Sequence, residues 1–85
     1  MKRFHVKSNG TNFVAFVDEE GKAYIIDESV YGYRLTLEAA KSEDYSGIEN
    51  CETAEEISYS IGTGTDDNII DWNEDDYSDC IITEF

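Results

Sequence analysis

All of the net charge of this chain lies in its last fifty residues. Between Met1 and Leu35, five acids (Asp18, Glu19, Glu20, Asp27, Glu28) meet five bases (Lys2, Arg3, Lys7, Lys22, Arg34), and the sum is zero. Between Thr36 and Phe85, fifteen acids face one base, Lys41, which leaves −14. Self-repulsion lowers the stability of the compact state. An 85-residue domain has little to lose, because a chain of that size buries only about 60–65% of the surface its unfolded form exposes. The acidic surface is therefore the leading functional clue, and it calls for a basic partner.

The acidic half is nonetheless expected to fold. High net charge with few aromatics signals disorder, but this half keeps Tyr45, Tyr59, Trp72, Tyr77 and Phe85 along with several isoleucines. Hydrophobic residues are 40% of the whole, enough for one modest core, so residues 1–85 read as a single acidic domain. No run approaches the ~18 apolar residues of a membrane span. Lys2 and Arg3 have no apolar stretch behind them to make a signal peptide. The expected location is the cytoplasm. Cys51 and Cys80 read as free thiols in a reducing compartment, with a Cys51–Cys80 bridge as the alternative.

The N-terminal part reads as three antiparallel strands. Lys2 to Lys7 alternates, with Phe4 and Val6 on one side and Arg3, His5 and Lys7 on the other, so a half-buried strand with a solvated His5 is expected. Asn9-Gly10 suits a tight turn. Phe13 to Val17 is a continuous apolar run and reads as a more buried strand. After the turn Asp18-Glu19-Glu20-Gly21, Lys22 to Ile26 is a third strand, rich in β-branched and aromatic residues. Short turns between such runs make a meander.

Helix signals follow. Asp27 to Arg34 reads as a loop. Thr36 caps a short helix from Leu37 to about Ser42, and Asp44 to Asn50 reads as a connection. Thr53 with Glu56 three residues later is a capping box, opening a helix from Ala54 to about Ile61, with Gly62 as its left-handed end. Asn68 to Trp72 fits a strand or a turn of helix, because periodicity does not decide at that length. Asn73 to Asp79 is an acidic loop, and Cys80 to Phe85 is a last strand. The expected fold is α+β: an N-terminal three-stranded antiparallel meander, two short helices and a C-terminal strand rejoining the sheet.

The chemistry-bearing patterns fail one by one. Aligning Asp71, Asn73, Asp75 and Asp79 as an EF-hand puts Asp76 where the loop needs glycine and Ile82 where it needs a bidentate Glu; weak divalent binding by the loop stays open. One histidine and two cysteines twenty-nine residues apart do not make a zinc site. No nucleophile is placed beside a base, and no carboxylate pair stands out as an acid–base couple. Gly62-Thr63-Gly64 lacks the Lys-Ser/Thr of a phosphate loop, and there is no basic stripe for nucleic acid. The expectation is a protein with no catalytic residue, metal or cofactor, and no direct binding of nucleic acid or membrane.

Imitation of nucleic acid remains. Each strand of duplex DNA carries one charge per ~3.4 Å, while carboxylates four apart on a helix have Cβ atoms ~5–6 Å apart. Glu49, Glu52, Glu55 and Glu56, and then Asp66, Asp67, Asp71, Glu74, Asp75, Asp76 and Asp79, are expected to form rows of negative charge. Tyr45 and Tyr77, each following an aspartate, are expected as exposed contacts, since tyrosine is enriched at interfaces. The alternative is a small interaction or immunity-type protein whose acidity serves solubility.

In length, single α+β domain, acidity and tyrosines among the acids, the chain resembles the small acidic inhibitors that phages and mobile elements carry against host nucleases, the anti-CRISPR and anti-restriction DNA mimics. Those groups share no motif, so no residue role carries over. The resemblance implies a stoichiometric inhibitor in the host cytoplasm. Its partner would be a basic nucleic-acid-binding protein, a CRISPR effector or restriction nuclease, whose access to DNA it blocks.

Overall fold

Three short-range signals build the first half of the sheet. Strands β1 (Lys2–Ser8), β2 (Thr11–Val17) and β3 (Lys22–Asp27) follow one another as an antiparallel meander. Ser8 sits opposite Thr11 across the Asn9-Gly10 turn. Gly10 there has φ of 95°, a left-handed value that side chains disfavour. The computed structural model describes residues 1–28, 34–45 and 53–85. The expected connections at 27–34 and 44–50 fall largely outside these, as do Tyr31, Tyr33, Glu49, Cys51 and Glu52.

Both helices start where their caps predict. Helix α1 (Leu37–Ser42) opens at Thr36, whose hydroxyl accepts from the Ala39 N–H. Helix α2 (Ala54–Thr63) opens on a reciprocal capping box: Thr53 accepts from the Glu56 N–H, and the Glu56 carboxylate accepts from the Thr53 N–H at 2.7 Å. That arrangement satisfies two otherwise unpaired donors. The far end of α2 differs from expectation. Gly62 stays helical, and Gly64 at φ 66° takes the left-handed position, where its N–H donates to Ser60. Both glycines match the same local signal, so sequence alone did not separate them.

Within residues 68–72, the three residues Ile69–Asp71 form a strand. Strand β4 (Ile69–Asp71) pairs with β3, and β5 (Ile81–Glu84) pairs with β1. The sheet order is β4-β3-β2-β1-β5, antiparallel throughout. The fold is therefore α+β, and the C-terminal strand does rejoin the sheet. Between β4 and β5 lies a short 3₁₀ turn, Glu74–Tyr77.

The sheet is covered on both faces. On one, Val14, Phe16, Tyr24 and Ile26 pack beneath Ile57 and Ile61 of α2, with Leu35, Ala40 and Tyr45 alongside. On the other, Phe4, Val6, Phe13, Ala15, Val17 and Ala23 pack beneath Trp72, Tyr77 and Cys80. Central strand β2 is consequently buried from Phe13 to Val17, which explains its unbroken apolar run. Each fully buried Val or Ile side chain contributes about 1.5–3 kcal/mol.

Two-sided cover also corrects the expectation for His5. Its alternation with Phe4 and Val6 suggested a solvated face, but that face carries the helices, and His5 is only 5% exposed. Its Nε2 has no hydrogen-bond partner. Burial holds its pKa below the ordinary 6.5 and Lys7 adds to that, while the side chain of Asn12 and the charges of Glu38 and Glu28 pull the other way.

Ile57→Ala, at a site 1% exposed, should cost about 2–5 kcal/mol in urea unfolding; a loss under 1 kcal/mol would place α2 outside the core. For His5, the unfolded chain binds its proton at higher pH than the folded one, so stability falls as pH drops below about 6.5. His5→Leu should remove that fall between the unfolded and folded pKa values. An identical decline in both proteins would assign it to other groups.

Candidate functional site

Strands β4 and β5 lie on opposite edges of the sheet, so the chain joining them has to cross a face. Four inter-strand steps at about 4.8 Å each make roughly 19 Å. Nine residues, Trp72 to Cys80, cover that distance with enough slack for one 3₁₀ turn. The result is a strap laid over the face opposite the helices.

Aromatic rings fasten the strap. Trp72 stacks on Phe4 with centroids 5.3 Å apart, and Tyr77 stacks on Trp72 at 5.4 Å. Tyr77 also meets Phe13 edge-on at 5.1 Å. Such pairs add about 0.5–1.5 kcal/mol each beyond the area they bury. Hydrogen bonds set the backbone. The Trp72 N–H donates to the Gly21 carbonyl at 2.8 Å, the Asn73 side chain accepts from the Asp75 N–H at 3.1 Å, and the Cys80 N–H donates to Tyr77 at 2.9 Å. Cys80 is a free thiol, partly buried against the same face.

With Trp72, Tyr77 and Cys80 turned to the sheet, the acids point outward. Glu74, Asp75, Asp76 and Asp79 are all exposed. Among the described residues, none of these four side chains makes an ion pair or hydrogen bond. Two ion pairs do form among those residues, and both lie elsewhere: Arg3 with Glu43, and Lys22 with Asp71. Asp71 lies in β4 and is held by Lys22, whose pKa this bond raises.

The remaining expected site residues are divided by the sheet. Glu55 and Glu56 are exposed on the first turn of α2, over the opposite face. The Glu56 carboxylate is engaged in the capping box, and those bonds to Thr53 hold its pKa below the usual range. Asp66 and Asp67 sit between α2 and β4, where Asp66 Oδ1 accepts from the Asn68 N–H at 2.8 Å. Among the described residues, the acids of the strap and those of α2 thus lie on opposite faces, with Asp66 and Asp67 in the connection before β4 and Asp71 in that edge strand, in place of one array.

Both tyrosines differ from expectation. Tyr45 is 7% exposed and belongs to the helix-side core, so it is no surface contact. Tyr77 is a partly buried anchor of the strap, and burial, with Asp76 adding to it, raises its phenol pKa. Trp72, Phe4 and Phe13 are the residues the sequence reading missed. Their signal was weak: one tryptophan after an ambiguous strand, and two phenylalanines already explained as core.

Among the described residues, no group of three or more His, Cys, Asp or Glu side chains is arranged to hold a metal ion. No described helix is long and apolar enough to cross a membrane. No known protein family, curated protein or solved structure matches the chain.

If the rings hold the strap down, Trp72→Ala should cost up to about 3 kcal/mol, the low end of the range for fully buried aromatics, because Trp72 is partly buried. It should also abolish amide-exchange protection at Asp76 and Cys80 while leaving α2 protected. Retained protection at Cys80 would show that the backbone bonds suffice.

Proposed function

We propose that this chain is a non-catalytic binding protein whose strap occupies the nucleic-acid groove of a basic protein partner. The observation that supports this reading is the set Glu74, Asp75, Asp76 and Asp79: four exposed carboxylates with no ion pair among the described residues, on a segment pinned by stacked rings. Along a 3₁₀ turn the rise is about 2 Å per residue. Measured along the axis, three successive acids there carry charge at least as densely as a DNA strand, with one charge per ~3.4 Å, and their side chains fan out around the turn at about three residues per revolution. Pinning removes much of the ordering cost of binding. The net charge of −14 steers a basic partner in and makes association salt-sensitive. The resemblance to anti-CRISPR and anti-restriction mimics puts a nuclease effector first among the partner classes.

The second reading is a small interaction or immunity-type protein whose acidity serves solubility. The acids on the helix face, Glu55 among them, favour it, because a solvated surface carries charge on every side.

Salt and competition separate the two. On the first reading, the basic protein retained by the immobilised chain is displaced by duplex DNA, and its affinity drops at least about tenfold between ~50 and ~300 mM salt. Changing Glu74→Gln, Asp75→Asn, Asp76→Asn and Asp79→Asn together weakens it further than any one change. Salt-insensitive binding, or a ternary complex with DNA, would reject the decoy and leave the second reading.

A further inference from the structure

Beside the first residues of the strap lies an open concavity of about 520 Å³. Phe4, Val17, Trp72 and Met1 give it apolar lining, and the charged residues that line it are the acids Asp18, Glu19 and Glu74 and the base Lys2. These acids come from two separate segments. Asp18 and Glu19 belong to the β2–β3 turn, which the sequence assigns to the neutral half of the chain, and the bond from the Trp72 N–H to Gly21 draws that turn to the strap.

We infer that this concavity seats an arginine side chain of the basic partner. The inference rests on the proposed function, and names the place and the side chain by which the strap face is recognised. Apolar lining beside a majority of acids matches a side chain that has an aliphatic stem and a cationic head. Guanidinium fits better than ammonium, because its five donors form a planar fork that pairs with more than one carboxylate and it is more weakly hydrated. The acidic lining is partly set in advance. Asp18 Oδ1 accepts from the N–H groups of Glu20 and Lys22, both at 2.9 Å. Glu19 and Glu74 have no side-chain partner among the described residues and are left to meet the ligand. Lys2 is the resident base at this opening, and it competes with the incoming charge.

Trp72 is the sole tryptophan, so the site reports on itself. A capped tri-arginine peptide should change its fluorescence saturably, and the tri-lysine peptide should bind more weakly. The double variant Glu19→Gln/Glu74→Gln should lose about fivefold in affinity or more, close to 1 kcal/mol at tenfold per 1.4 kcal/mol. Lys2→Ala should gain affinity. Glu55→Gln/Asp67→Asn, with the same change in net charge away from the concavity, should stay within about twofold, since exposed charges beyond a Debye length are screened. No saturable change, or equal weakening by the two double variants, overturns the inference. The two failures are distinguishable. If the peptide behaves as stated while DNA never competes for the protein partner, the decoy fails and the arginine seat stands. If DNA competes but Glu19→Gln/Glu74→Gln binds that partner unchanged, the seat fails and the decoy stands.

Discussion

The structure depends on one topological constraint: the last two strands join opposite edges of a meander, so the chain between them must cross the sheet. That crossing closes the second face. Without it, Phe4, Val6, Phe13 and Ala15 would lie open to water on the side away from the helices. With it, a short chain gains two apolar layers around one central strand. For a small domain with little stability to spare, covering both faces increases the apolar area removed from water.

The same crossing solves a charge problem. Acids packed against a sheet would be desolvated at a cost of several kcal/mol per ion. The strap instead alternates its duties, with rings and a thiol toward the sheet and carboxylates toward solvent. Its negative charges repel one another, and the stack Phe4–Trp72–Tyr77 holds them in place regardless. A segment of this composition, free in solution, would be extended and mobile. Anchored by aromatics, it becomes a fixed charged surface, and a fixed surface binds with less ordering cost than a loose one.

Division of the acids by the sheet sets which residues act together. On the strap side, Glu74 is joined by Asp18 and Glu19 of the neighbouring turn, and Asp75, Asp76 and Asp79 follow it along the strap. The carboxylates of α2 lie beyond the sheet, separated by at least one layer spacing of about 10 Å. With a Debye length near 8 Å at physiological salt, their field at the strap is largely screened. Acids that are distant in sequence therefore share a surface, while acids in one charge-rich half do not.

Features settled within a few residues could be read directly from the chain. The Asn9-Gly10 hairpin, the three strands, the Thr36 cap and the Thr53–Glu56 box all depend on local dihedrals, local hydrogen bonds or a local period. The C-terminal strand was legible from its apolar run. Tertiary structure alone decided which edge each late strand joins, that His5 and Tyr45 are buried, that Tyr77 is an anchor, and which carboxylates stand side by side. Those outcomes come from long-range pairing and from cover on a second face. Alternation along one strand says that its two sides differ, but not that both will be roofed.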